Sequence, residues 1–148
     1  MKGQSSMELL VTVGIVLAFT VPVIFLLLSL TMVGFEDASV AQAEASARSM
    51  ADSINVVYGQ GGDAKRVVLL NLPANTQRLA ISGNEVILEI RTSRGMHQAA
   101  APFFANTADS ELVSAESETA RSGLVPVEIS SAESGGSIQV EVELFDED

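Results

Sequence analysis

Residues 1–35 read MKGQSSMELLVTVGIVLAFTVPVIFLLLSLTMVGF, and the order of parts in this stretch decides the fold. A lysine, a glycine and one glutamate stand before 27 residues, Leu9 to Phe35, that carry no charge. As a helix that run spans about 40 Å, more than the roughly 30 Å of a bilayer's hydrocarbon core. A secretory signal ends its apolar region at a small-residue cleavage site and is removed. Here the only suitable cut lies ahead of the run, so the run stays in the mature chain as a structural element. Thr12, Gly14, Thr20, Ser29 and Thr31 are tolerable in a helix that bonds its own backbone, while Pro22 removes one bond and is expected to kink or loosen the middle. Lys2 before the run, and Glu36 and Asp37 after it, orient the N-terminus to the cytoplasm and the rest outside.

The helical pattern continues beyond the apolar run. Between Glu36 and Tyr58 there is no glycine or proline. Val40, Ala43, Ala47, Met50, Ile54 and Val57 recur at alternating steps of three and four, which makes one narrow apolar stripe. Gly59-Gln60-Gly61-Gly62 then supplies a stop. A rod of this length cannot bury both halves against a domain of about 85 residues, so part of it must face lipid or other subunits.

After Gly62 the period changes to two. Val67 to Leu72 is a short apolar run closed by the turn Leu72-Pro73-Ala74-Asn75. Gly83-Asn84 is a two-residue hairpin loop, a spacing that sets Ile81 against Val86 and Leu79 against Leu88. Residues 96–118 show no clean period and are expected to hold one or two irregular strands. Val125, Val127 and Ile129 alternate; Ser130 to Gly136 is expected to be a loop. Ile138, Val140, Val142 and Leu144 alternate with Gln139, Glu141 and Glu143, the clearest strand of the chain. The expected fold is α+β: a long N-terminal hydrophobic helix, then about six short strands in a small antiparallel sandwich-like head. Its divisions are a leader at 1–3, a helix at 4–58 with a transmembrane part at about 9–35, and a β-rich extracellular head at 63–148.

Composition excludes several function classes. The chain has 148 residues, no cysteine and a net charge of −11. From Gly95 onward eleven acids face the single Arg121, a balance of −10 that repels phosphate backbones and argues against nucleic acid as a partner. Without thiols there is neither a disulfide framework nor thiolate chemistry. His97 is the only histidine, and no serine or acid is singled out to accompany it. The glycines at 59–62 lack the strand and lysine of a phosphate loop. The acidic 146–148 tail has no defined coordination geometry, and residues 107–122 are expected to form a flexible loop. No enzyme activity, cofactor or metal site is expected.

Glu8 stands apart as an ionisable group at the entry of a membrane segment. Gln4 lies one helical turn before it, on the same face. At Lys2-Gly3-Gln4-Ser5-Ser6-Met7-Glu8 and the run behind it, the chain resembles the type IV pilin-like proteins of archaea that carry a class III signal peptide. The resemblance covers about 35 residues. It implies that a prepilin peptidase cuts after Gly3, with Lys2 and Gly3 as recognition residues and Gln4 as the new N-terminus. Glu8 becomes the glutamate at mature position five, an assembly residue. Other pilin-like subunits are then the partners, after a stay in membrane lipid, and the product is a cell-surface filament. The alternative is a membrane-anchored extracellular binding or accessory module, of a secretion or motility machine, that never polymerises.

Overall fold

The computed structural model describes residues 2–114, 122–134 and 136–145, with side chains from Met7 onward except that of Ser134. One helix, α1 (Lys2–Gln60), is followed by seven strands: β1 (Lys65–Leu72), β2 (Thr76–Ser82), β3 (Glu85–Thr92), β4 (Gly95–Pro102), β5 (Ser110–Ser114), β6 (Gly123–Ser134) and β7 (Ser137–Leu144). The chain divides into two compact units, Met1–Asp37 and Ala38–Asp148. α1 is helical throughout, Pro22 included. It ends where Gly61 takes a φ of +92°, a left-handed turn open to glycine without strain.

The first unit is bare helix. Its large apolar side chains, from Met7 to Phe35, are all exposed, and Leu26 is 61% accessible. The second unit has an ordinary core, and the second half of α1 belongs to it. Ala43, Met50, Ile54 and Val57 are wholly buried and Ala47 nearly so, and Val40 packs against them. The three-and-four stripe therefore faces the strands, while Glu44 and Arg48 pair with each other on its solvent side. Polar groups fasten the two together. Gln42 Nε2 and Ser46 Oγ both donate to the Asn71 carbonyl, at 2.9 and 2.8 Å, and Asn55 Oδ1 accepts from the Phe104 N–H at 2.8 Å.

The strands form two antiparallel sheets. One has the order β1-β6-β7, the other β4-β3-β2-β5. The β2–β3 register sets Ile81 opposite Val86 and Leu79 opposite Leu88. Gly83 and Asn84 take φ values of +58° and +66°, the pair of left-handed residues that a tight hairpin needs. Asp109 closes this corner, its carboxylate accepting from Gly83 N–H at 3.1 Å and Ser82 Oγ at 3.2 Å.

Three regions differ from expectation. Within the 107–122 stretch expected to be a flexible loop, Ser110–Ser114 form β5, paired with β2, because Leu112 and Val113 are buried in the core. Residues 95–102 form a regular strand, paired residue by residue with β3. Ala99 and Ala101 are buried and Ala100 is exposed, an alternation that three alanines cannot show as a change of hydropathy. Ser130 to Ser134 are not a loop but the continuation of β6, paired with β7 as far as Ser134 opposite Ser137. Ser131 is buried there, its hydroxyl donating to the Gly61 carbonyl and accepting from Ala64 N–H. A serine with both capacities used costs little inside a sheet.

Candidate functional site

The chemistry-bearing feature singled out by the sequence is the first half of α1, and its geometry is that of an unpartnered apolar surface. One helix, and among the described residues only this one, is long and apolar enough to cross a membrane; its most apolar window buries nothing against the rest of the chain. Three of the polar side chains inside it turn inward to the backbone. Thr12 Oγ1 donates to Glu8 O at 2.8 Å, Ser29 Oγ to Phe25 O at 2.9 Å and Thr31 Oγ1 to Leu27 O at 2.8 Å. Such i to i−4 bonds satisfy each hydroxyl without water, so these residues place no polar demand on lipid or on a packed neighbour.

Glu8 is on the helix and exposed, with no ion pair among the described residues. Lys2, Gly3 and Gln4 lie on the same helical backbone, so Gln4 is one turn before Glu8; their side chains fall outside the described residues. The structure thus brings Gln4 and Glu8 onto one helix face and leaves Lys2 and Gly3 as the first residues of the helix. The 146–148 tail and residues 115–121 of the serine- and acid-rich stretch also lie outside the described residues.

No group of three or more His, Asp or Glu side chains able to hold a metal occurs among the described residues. His97 sits on β4 opposite Ile90, its Nε2 buried without a hydrogen-bond partner. Lys65 donates to Glu128 Oε1 at 2.9 Å; that bond, and next the charge of the carboxylate, raise the lysine pKa above its ordinary value. Arg78 lies 3.4 Å from Glu111 across the β2–β5 pair.

Sequence reasoning passed over the polar fasteners Gln42, Ser46, Asn55 and Ser131. Their signal is position. Gln42 and Ser46 flank the buried stripe of α1 one turn apart, where a side chain can reach the end of a strand. It also passed over a cleft of about 450 Å³ between the 106–110 segment and β7. That cleft depends on two strands far apart in the chain, so no local pattern announces it.

No family model matches this chain, and no curated protein or solved structure matches it either. The chain is an α+β protein with one long apolar N-terminal helix and two antiparallel sheets, a build compatible with a pilin-like membrane-anchored protein.

Proposed function

We propose that this chain is a structural subunit of an archaeal type IV pilus-like surface filament, processed after Gly3 and assembled through its apolar helix. The observation that carries the reading is the contrast within α1. Residues from Met7 to Phe35 expose every large apolar side chain, while a core forms only from Val40 onward. A surface of that kind must be covered, because each large side chain gains about 1.5–3 kcal/mol on leaving water. Lipid covers it first. Packing of the same helices against one another covers it in a filament, where dispersion contacts replace those with lipid tails.

Glu8 supports the assembled state over permanent residence in lipid. A carboxylate at the membrane entry can reach water, yet it has a better partner in a new N-terminal amine at Gln4 of a neighbouring copy. Such a pair offsets burial and fixes register, as single polar groups do in coiled coils. The prepilin peptidase that would expose the amine, and the sister subunits, are the partners this reading requires.

Shearing cells that express the chain, followed by electron microscopy of the released fraction, tests it. Filaments containing the chain are expected. A chain recovered only by detergent extraction, with none in the sheared fraction, would favour the anchored module instead.

A further inference from the structure

The three-stranded sheet buries one face and leaves apolar side chains on the other. On β1, Leu70 and Leu72 are in the core, while Val67 and Leu69 point the opposite way and are exposed, Leu69 by 64%. Leu69 stands opposite Pro126 on β6, and Asn71 opposite Leu124, which is 69% exposed. Leu124 and Pro126 are two residues apart, so they share this outward face. Phe145 joins them. Its N–H donates to the Pro126 carbonyl at 3.1 Å, and it stands two residues beyond the outward Glu143. Val67, Leu69, Leu124, Pro126 and Phe145 thus lie together. Apolar residues exposed singly are ordinary on a surface, whereas a contiguous group marks a place of contact.

Charge on this face begins beside Val67, which stands opposite Glu128, itself opposite Glu143. The rows of Leu69 and Leu124 hold no charged side chain among the described residues. The patch therefore fits a partner that brings apolar surface and no charge. A second strand unit does not, because from Gly95 onward the chain has eleven acids against one arginine, and two such units repel each other. The apolar half of α1 does, with 27 uncharged residues whose large side chains are all exposed.

One part of that helix has the least cover from lipid. The run spans about 40 Å against roughly 30 Å of hydrocarbon, so, counted from Leu9, about its last two turns, residues 29–35, exceed the lipid tails. Leu30, Met32 and Val33 in these turns are exposed, Met32 by 68%. The hydroxyls of Ser29 and Thr31 are bonded to their own helix, so this segment can lie on an apolar surface without stranding a polar group. We infer that the outward patch of one copy seats residues 29–35 of a neighbouring copy's helix. The inference rests on the filament reading, since a neighbour's helix meets the patch only when copies are packed side by side. The surface that seats and the surface that is seated differ, so each copy can use both and the contact propagates instead of closing on itself.

The chain lacks cysteine, so an introduced pair reports without background. The test is the full-length double variant Met32→Cys/Leu124→Cys, oxidised on cells and run on a non-reducing gel. A ladder of covalent dimers, trimers and higher species is expected, with dimers at most from either single variant. The pair Met32→Cys/Met96→Cys, whose second position lies on the other sheet, should give no ladder. Without cysteines, Leu124→Asp should lower the sheared fraction roughly tenfold and leave the melting of the strand unit unchanged, because Leu124 is outside the core; Leu124→Met should keep the fraction. A missing ladder, an equal one from the Met96 pair, or full filament yield from Leu124→Asp overturns the contact. So does an adduct of Leu124→Cys with a different protein. Sheared filaments of the double variant that yield no ladder sink the seating of the helix while leaving the filament reading intact. A ladder without filaments supports the contact and counts against that reading.

Discussion

The two halves of α1 have opposite fates. From Leu9 to Phe35 apolar side chains occupy every face of the helix, and the large ones are all exposed. From Val40 to Val57 the large ones, Val56 apart, lie on one stripe, and the stripe is buried. The difference is one of distribution. A narrow stripe can be covered from one side by two small sheets of the same chain, whereas a surface that is apolar all round needs cover from all round. The polar residues follow suit. Thr12, Ser29 and Thr31 bond back to their own helix, while Gln42, Ser46 and Asn55 reach out to the backbone of the strand unit.

The contrast can be broken by substitutions in either half. The largest effect is expected at Glu8. Glu8→Ala should leave membrane insertion, processing and the melting of the strand unit unchanged, yet abolish the sheared fraction; unchanged filaments would remove the pairing with Gln4. Next comes the buried stripe. Ile54→Ala deletes a side chain with no accessible surface and should cost about 2–5 kcal/mol in the thermal unfolding of the detergent-solubilised chain. Leu26→Ala, of similar chemistry but 61% exposed, should leave that transition within about 0.5 kcal/mol. Equal losses at both positions would end the distinction between the halves.

The smallest effect lies at Lys65, which is exposed, so its bond to Glu128 contributes little. Its pKa is raised in the folded chain, so the contribution is complete below the ordinary value of 10.5 and fades as pH rises through the higher folded value. Unfolding curves of the wild type and of Glu128→Gln should therefore differ slightly at neutral pH and converge in strong alkali. A difference that grows with alkali would contradict the assignment.

Much of this was legible in the sequence, for reasons visible in particular residues. The stripe from Val40 to Val57 and the hairpin at Gly83-Asn84 are local patterns. A period and a loop length are sufficient to fix which side chains face inward and which residues pair. A strand within 96–118 was expected, but the regular pairing of 95–102 escaped because alanine is apolar and small on both faces, so burial of Ala99 and Ala101 leaves no trace in hydropathy. The extension of β6 through Ser131 escaped because serine composition resembles that of a loop, and only the carbonyl of Gly61, 70 residues away, makes that serine a core residue. Of the candidate site, the apolar run, Gln4 and Glu8 could be read directly. The apolar face shared by Leu69 and Leu124 could not, since strand order decides which strands lie side by side. The order β1-β6-β7 joins β1 to β6, with four other strands between them in the chain.

The central claim is that the apolar half of α1 is kept and packed in an assembly. Mass spectrometry of the chain in the sheared surface fraction tests it most directly. The account predicts a mature chain that begins at Gln4 and retains Leu9 to Phe35. A chain that begins at Met1, or one cut at Ala18 or beyond, would contradict it.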